Sequence, residues 1–244
     1  MKRTVRGIVL RTPVRHNDRT DILTVYTRDG GRMSVAITAG GGKSGRQRRA
    51  ATMPLSVVEF QIDDKASVNM PRASSLAALS AYKSVYFDPI KSAIAMFMSE
   101  FLNRLLRDTA PDPRMYRYIG ESVALLDVLT DSADLSNFHI AFLSGLTTFT
   151  GIAPDTSDYR EGALFDMVSG RYTTLLPTHS AVLIGENARI PLILNRMTFV
   201  NQRYYHFTRK QRREVLDGLL RYYGLHFPGT DNLRSPEILS EILG

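Results

Sequence analysis

The segment GGGKSG at residues 40–45 combines the residue types that bind a nucleotide phosphate. A Walker A loop wraps its backbone N–H groups around the phosphates, and this geometry requires a glycine five positions before Gly42. That position holds Ile37. Such a loop also opens a helix, whereas Gly45, a run of cations and then Pro54 make a poor helical start. We therefore expect a flexible, basic connection between strands that contacts a nucleic-acid backbone.

No other residues have the spacing of a catalytic or metal site. The sequence lacks a Gly-x-Ser-x-Gly elbow and a His-x-x-x-His pair. Asp63 and Asp64 are adjacent acids at a predicted strand end, which is typical of a turn. His139 lies beside the apolar positions Phe138 and Phe142, so we expect a half-buried structural residue. We assign no catalytic residue, no metal and no cofactor, and expect that the protein is not an enzyme.

The charge of the chain is unevenly distributed. Its 244 residues, 43% hydrophobic and 23% charged, are ordinary for one or two globular domains. Cysteine is absent, which excludes disulfides, thiol nucleophiles and cysteine-bound zinc. Residues 1–80 carry 14 Lys and Arg against 6 Asp and Glu, so the whole net charge of +7 comes from this third. This segregation favours a nucleic-acid partner over a merely solvated basic surface.

The sequence gives no indication of a membrane partner. Its start, MKRTVRGIVLRT, lacks the apolar run of a signal peptide. No segment approaches the roughly 20 apolar residues of a membrane span. We therefore expect a cytoplasmic protein, and a nucleic-acid partner that is chromosomal DNA would make it nucleoid-associated.

The first 80 residues have the pattern of short strands separated by turns. Several runs alternate apolar and polar residues, as half-buried strands do. The predicted strands are 4–14, 21–27, 32–38, 55–62 and a weaker one at 66–70. Five strands in so short a stretch favour a small β-barrel, and the OB-fold is the common form that binds nucleic acids. The predicted fold class is α+β, with an OB-fold at 1–80 and a mainly α-helical domain at 81–244.

The cations of the predicted barrel and its loops are the candidate DNA contacts. They are Arg15, Arg19, Arg32, Lys43, Arg46, Arg48 and Arg49. Tyr26 and Phe60 are the only aromatic residues before Tyr82, and both alternate with apolar neighbours, so we expect them in the core. Binding should therefore depend on phosphates, tolerate different sequences and weaken with salt.

Helical patterns dominate after about residue 76. Asp88 and Asp112 each precede a proline, which is typical of a helix start. A third helix is predicted at 135–150, a helical pattern at 180–197, and a last long helix at 209–223 whose capping box is Thr208 with Gln211. Residues 153–177 are irregular, with a hairpin predicted to turn at 169–170.

Four cations occupy the first turn of the last long helix, where they oppose the helix dipole. They are Arg209, Lys210, Arg212 and Arg213. An acidic peptide or DNA could favour them. A surface cluster of cations that binds no ligand would have the same sequence, so both interpretations stay open.

The order of several short motifs resembles the bacterial recombination mediator RecO family. They are GIVL at 7–10, DIL at 21–23, TRDG at 27–30, the basic loop before Pro54, Tyr82, FMSEFL at 97–102, Phe165 with Asp166, Ser169 with Gly170, and LRSPEIL at 233–239. Each motif is short, but together they run collinearly through nearly the whole chain.

The resemblance implies a protein that binds single- and double-stranded DNA and anneals complementary strands. Its implied partners are RecR and the C-terminal tail of the single-strand-binding protein SSB, and together they help load RecA recombinase onto coated strands. Many members carry a four-cysteine zinc site after the third helix. This chain has no cysteine, so its residues 153–177 should hold together by packing, without zinc.

The resemblance also implies that the helical domain binds the acidic, apolar-ended SSB tail in a groove with cations. Local composition selects Arg203, Phe207, Arg209, Lys210 and Arg213 as candidates. The rival hypothesis, a general RNA-binding or ribosome-associated OB-fold module, fits the same charge distribution.

Overall fold

A five-stranded antiparallel sheet forms where the sequence alternates apolar and polar residues. The computed structural model describes residues 2–39, 42–63, 70–80 and 82–243, and the chain divides into the units Met1–Val128 and Leu129–Gly244. The strands are β1 Lys2–Asn17, β2 Thr20–Thr27, β3 Gly31–Thr38, β4 Val57–Asp63 and β5 Ser74–Ala78, in the order β3-β2-β1-β4-β5. The predicted α+β class with an N-terminal five-stranded sheet is confirmed.

The sheet closes into a barrel through β3 and the residues just before β5. Ala36 pairs in parallel with Arg72. The Ala36 N–H donates to the Pro71 carbonyl at 2.9 Å, and the Ala73 N–H donates to the Ala36 carbonyl at 2.8 Å. A helix, α1 Gly42–Ala51, lies between β3 and β4 in the chain. Five strands closed in this way are the arrangement of an OB-fold.

Strand β2 is buried on both of its faces. Leu23 and Val25 belong to the barrel core together with Phe60. Tyr26, on the opposite face, is also fully buried, and its hydroxyl accepts a hydrogen bond from the Asp112 N–H at 3.1 Å. The expectation that Tyr26 and Phe60 are core residues is confirmed. The alternation of β2 did not indicate a second covered face, because the residues that cover it come from a distant part of the chain.

One prediction for this unit was wrong. Residues 42–51 form helix α1, although we expected a flexible connection. Gly45 and Thr52 are buried, so the helix packs onto the barrel despite its very polar composition. The fifth strand of the sheet lies at Ser74–Ala78, whereas residues 66–69 of the strand predicted at 66–70 lie outside the described part, so that prediction is untested.

Two helices complete the first unit, α2 Pro89–Leu105 and α3 Pro113–Val128. The Asp88 side chain accepts a hydrogen bond from the Lys91 N–H at 3.0 Å, with Pro89 at the first position, as the sequence predicts. The Asp127 carboxylate accepts bonds from the backbone N–H groups of Ser84 and Val85 at 2.7 and 3.0 Å. This carboxylate ties the end of α3 to the segment before α2.

The second unit contains helices and one small sheet. Its elements are α4 Ser132–Leu135, α5 Phe138–Thr150, β6 Leu164–Asp166, β7 Arg171–Thr173, β8 Val182–Leu183, the 3-10 helix Gly185–Arg189, α6 Ile190–Arg196, the 3-10 helix Gln202–Tyr204, α7 Arg209–His226 and α8 Ser235–Ile242. The end of α5 at Gly151 (φ 74°) and the capping box of α7 are confirmed. The helical pattern predicted at 180–197 was correct only in its later part, because β8 and Gly185 (φ 58°) come first, a 3-10 helix follows, and α6 begins at Ile190 with Pro191 in its first turn.

The predicted hairpin at 169–170 is confirmed. Strands β6 and β7 pair from Asp166 with Arg171 to Leu164 with Thr173. Gly170 has φ 68°, and a Cβ there would lie 2.8 Å from the hydroxyl oxygen of Tyr222. Phe165, Met167 and Tyr172 form an apolar cluster with Tyr222 from α7. Packing of side chains therefore holds this segment together, as the lack of cysteine requires.

Candidate nucleic-acid interface

Two arginine side chains converge on Thr38, the last residue of β3. The Arg48 guanidinium, from α1, donates to the Thr38 carbonyl. Arg72, just before β5, donates from Nη2 to the Thr38 hydroxyl at 3.3 Å. The Arg19 carbonyl, from the β1–β2 turn, accepts from the N–H of Ala39 at 2.9 Å. We call this surface the basic end of the barrel; it comprises Arg15, Arg19, Arg46, Arg48, Arg49 and Arg72.

Helix α1 positions three of these cations. Arg46 and Arg49 are three residues apart, so they lie on one helix face, and both are exposed. Arg48 lies beside the barrel, because its guanidinium donates to the Thr38 carbonyl at the end of β3. Lys43 belongs to the first turn of α1, but its side chain is outside the described part of the structure.

The basic end keeps most of its positive charge. Arg15 forms an ion pair with Asp21, with 3.2 Å between Nε and Oδ1. Among the residues that the structure describes, Arg19, Arg46, Arg49 and Arg72 form no ion pair with a carboxylate. An anion that reaches this surface therefore meets cations that the protein has not already neutralised.

Arg32 does not belong to the basic end. It lies six residues before Thr38 on β3, which corresponds to roughly 20 Å along an extended strand. Its Nε and Nη2 donate to Asn103 Oδ1 at 3.3 and 3.2 Å. Burial lowers the pKa of Arg32, and the neighbouring charge of Arg107 lowers it further. Arg32 therefore links the barrel to α2.

Arg72 was missed by the sequence analysis. It is a single arginine after Pro71, and no local pattern distinguishes it. Its position becomes meaningful only when the parallel pairing with Ala36 closes the barrel and brings it to Thr38.

A groove runs between α1 and the first three strands. It has a volume of roughly 340 Å³, and we call it the arginine groove. Its lining includes Thr12, Pro13, Ile37, Arg48, Arg49 and Met53. Apolar side chains thus lie directly beside the cations of α1.

The structure also bears on the Walker A reading. The helix that follows Gly42 was not expected, so that part of the argument against a nucleotide site was wrong. The glycine spacing still disagrees with a Walker A loop. Ile37, at the required glycine position, is a buried strand residue paired with Asp21 on β2. A strand at this position has no free loop to surround phosphates.

The candidate tail-binding residues of the second unit differ in their environments. Arg203 forms ion pairs with Asp131 at 2.8 Å and with Asp134 at 3.2 Å. Lys210 and Arg213 are paired with Glu214 and Asp217 along α7, at 3.8 and 3.7 Å. These exposed pairs on a helix surface are weak and are readily exchanged for another anion.

Phe207 and Arg209 complete that candidate set. The ring of Phe207 is half-buried and contacts Tyr205, with 6.1 Å between the centroids. Arg209 is exposed at the start of α7 and forms no ion pair within the described residues.

A second groove lies between α7 and α8. This α7–α8 groove, of roughly 180 Å³, is lined by residues that include Arg209, Arg213, Leu216, Leu220, Leu233 and Leu239. Arg212, one of the four cations at the start of α7, was not among the predicted tail-binding residues, and α8 was not predicted from the sequence. Arg212 donates to Asn137 Oδ1 at 3.3 Å and to the Phe207 carbonyl at 3.2 Å, and burial lowers its pKa. Acidic residues also line this groove, among them Asp217, Asp231 and Glu237.

His139 is fully buried, so the expectation of a half-buried residue was wrong. Burial, followed by the charge of Arg212, lowers the pKa of His139 to about 3. The imidazole is therefore neutral at physiological pH.

An OB-fold barrel with an arginine-rich end is typical of the class of proteins that bind nucleic acids. The chain matches two family models, "Recombination protein O N terminal" over residues 1–82 and "Recombination protein O C terminal" over residues 86–235. The chain therefore belongs to the recombination protein O family, and this membership supports a role in DNA repair and recombination.

Relatives are similar over nearly their whole length. A protein of Phocaeicola vulgatus is 34% identical over 242 residues, which is 99% of both chains. Proteins of Bacteroides fragilis and Porphyromonas gingivalis are 32% identical over 243 residues and 30% identical over 242 residues, covering 99% and 97% of both chains. Each of them is named DNA repair protein RecO.

The described residues contain neither a membrane-spanning helix nor a metal-binding cluster. No helix there is long and apolar enough to cross a membrane. In the same residues, no group of three or more His, Asp or Glu is arranged to hold a metal ion.

Proposed function

We propose that this chain is a recombination mediator that binds single- and double-stranded DNA and anneals complementary strands. In this proposal it acts with RecR to help load RecA recombinase onto strands coated by SSB. Family membership supports the DNA repair role over the RNA-binding alternative. No step of this function requires the protein to break or form a covalent bond.

The observation that carries the proposal is the convergence of Arg48 and Arg72 on Thr38. With Arg19, Arg46 and Arg49 they form one cationic surface at the end of the barrel. Cations held on rigid elements suit phosphate backbones, because each contact releases condensed counterions. The proposed DNA surface includes Lys43 and Arg15 as well, whereas Arg32, in its contact with Asn103, has a structural role.

In this proposal, annealing is possible because the basic end contacts the phosphates of a strand and leaves its bases free to pair. Arginine contacts to phosphates carry no sequence information, so a bound strand keeps the freedom to shift. Two strands held this way are concentrated together while their bases find complementary partners. Tyr26 and Phe60 are buried and provide no stacking platform that would fix the bases.

The experiment that tests this function is annealing of complementary oligonucleotides coated with SSB. We expect the protein to accelerate annealing, and the variant carrying Lys43→Glu, Arg46→Glu, Arg48→Glu and Arg49→Glu to lose most of that activity. Equal annealing with and without the wild-type protein would contradict the proposal. RNA oligonucleotides of the same sequence serve as the comparison for the RNA-binding alternative.

For the SSB tail we propose the α7–α8 groove. An acidic peptide ending in an apolar residue would place its last side chain on Leu216 and Leu220. Its carboxylates would lie at the start of α7, where Arg209, Arg212 and Arg213 and the positive end of the helix dipole favour anions. Arg203 is bound to Asp131 and Asp134, so its role there would be to hold the chain before α7. Lys210 is a peripheral contact in this proposal.

The proposal also includes a protein partner, a cellular location and a division into domains. RecR is expected as a partner, without an assigned surface. A cytoplasmic, nucleoid-associated location would follow from work on chromosomal DNA. The division into an OB-fold domain at 1–80 and a helical domain at 81–244 is also retained.

A further inference from the structure

The arginine groove has a lining that a purely electrostatic DNA contact does not require. Pro13, Ile37 and Met53 place apolar surface in it. A phosphate gains nothing from such surface, because it is most stable among water molecules and hydrogen-bond donors. The groove therefore fits a ligand that has both an apolar part and an anionic part.

Its size and position narrow the choice of ligand. A volume of roughly 340 Å³ falls at the lower end of the range of about 300–1,000 Å³ that is usual for small-ligand pockets. The groove lies beside Arg48 and Arg49, so a ligand bound to the proposed DNA surface reaches it directly. A nucleobase has flat apolar faces and is joined through its sugar to a phosphate.

We propose that the arginine groove holds one unpaired base of a single-stranded polynucleotide. This inference rests on the proposed DNA binding at the basic end. The base would contact Pro13 and Met53, and the guanidinium of Arg49 would stack on it or bind the adjacent phosphate. The Thr12 hydroxyl and the Asp21 carboxylate, which also line the groove, provide polar atoms for the base edge.

The groove would give the protein a preference for single strands. A base in a duplex is paired and stacked, so it enters such a groove only after it is flipped out, which costs free energy. An unpaired base pays a much smaller cost. Duplex DNA would therefore be held by phosphate contacts alone, and single strands by phosphate contacts together with one base.

The test compares two single strands that differ only in their bases. The full-length protein is titrated with a fluorescent thymidine oligonucleotide and with an abasic oligomer of the same length and charge. We expect the abasic strand to bind about tenfold more weakly, the effect of one well-held base. Equal affinity for the two strands would overturn the inference while leaving phosphate binding intact.

Two matched variants test whether the affinity difference between the thymidine and abasic strands arises in the arginine groove. Thr12→Tyr places a ring in the groove without a change of charge, and Val14→Tyr adds the same ring on the same strand at an exposed residue that is not part of the groove lining. Thr12→Tyr should bind both strands with the affinity of the abasic one, while Val14→Tyr keeps the difference. If Val14→Tyr loses the difference as fully as Thr12→Tyr, the base is not held in this groove.

Affinity for duplex DNA serves as the folding control. Thr12→Tyr should retain the duplex affinity of the wild-type protein, because the cations are unchanged. Should Thr12→Tyr fail to fold, the wild-type comparison of thymidine and abasic strands still decides whether a base is bound. Failure of the wild-type protein to bind any of these DNAs would instead remove the proposed function, and this inference with it.

Discussion

Arg72 and Thr38 meet across the seam that closes the barrel, with 3.3 Å between the Arg72 Nη2 and the Thr38 hydroxyl oxygen. The two residues are far apart in the sequence, and the parallel pairing of Ala36 with Arg72 brings them together. Because Arg48 binds the carbonyl of the same threonine, the closure of the barrel also assembles the cationic surface. Fold and proposed function therefore depend on the same contacts.

The salt dependence of binding reports how many cations contact phosphates. If five cations do so, log affinity for single strands should fall against log salt with a slope of about −3.5. Removing two of those cations should reduce the slope by about 1.4. Anisotropy titrations at several potassium chloride concentrations measure this slope, and a value near zero would contradict a phosphate-binding surface.

Binding of the SSB tail should depend on the start of α7. Charge reversal by Arg209→Glu with Arg213→Glu is expected to weaken a fluorescent tail peptide by at least about tenfold, because two attractive contacts become repulsive. Lys210→Glu, on the same turn, reverses one charge at a residue that does not line the groove and should have a smaller effect. A peptide without its last residues should bind poorly to every variant. Undiminished binding to the double variant would place the tail elsewhere.

Gly170→Ala should destabilise the second unit. Its φ of 68° costs a residue with a side chain about 1–2 kcal/mol, and the new Cβ would also lie 2.8 Å from the Tyr222 hydroxyl oxygen. Gly185→Ala is the control, since Gly185 has a φ of 58° but nothing within 4 Å of the added carbon. Urea unfolding of both variants should show the larger loss for Gly170→Ala. Equal losses would mean that Tyr222 moves aside freely.

Buried His139 should make the second unit less stable in mild acid. Its pKa is lowered to about 3 in the folded chain, against roughly 6.5 when unfolded. The unfolded state therefore takes up the proton first, and stability falls as the pH drops below about 6.5, by about 2 kcal/mol at pH 5.

Hydrogen exchange of the amides of α5 at pH 7 and pH 5, corrected for the intrinsic rate, measures this loss. His139→Gln should reduce the pH dependence, whereas His16→Gln, at an exposed position, should leave it unchanged. Identical pH dependence in wild type and His139→Gln would assign the effect to another group.

The sequence was sufficient for features whose signals are local. Asp88 with Pro89, Thr208 with Gln211, and the hairpin turn at Gly170 each depend on neighbouring residues, and all were predicted correctly. The alternation of apolar residues likewise predicted the first four strands. Such signals arise because capping, turn geometry and pleating are decided within a few residues.

The missed features depend on contacts between distant segments. Helix α1 is so polar that nothing in its composition shows which face packs on the barrel. Arg72 acquires its position only from barrel closure. The sequence does not distinguish Arg32 from the other cations of the predicted barrel. In the structure it donates a hydrogen bond to Asn103 on α2, which lies much further along the chain. Only one wall of the α7–α8 groove could be predicted, because the sequence analysis found α7 but not α8.

The most direct test of the account is the DNA affinity of Arg46→Glu with Arg49→Glu, measured by anisotropy with single-stranded and duplex oligonucleotides. The control is Arg107→Glu with Arg117→Glu, which changes the net charge equally at exposed positions of the same unit outside the basic end. The account predicts a loss of at least about tenfold for the first pair on both DNAs, and little change for the second. Equal losses for the two pairs, or none for the first, would contradict the claim that the basic end of the barrel is the DNA-binding surface.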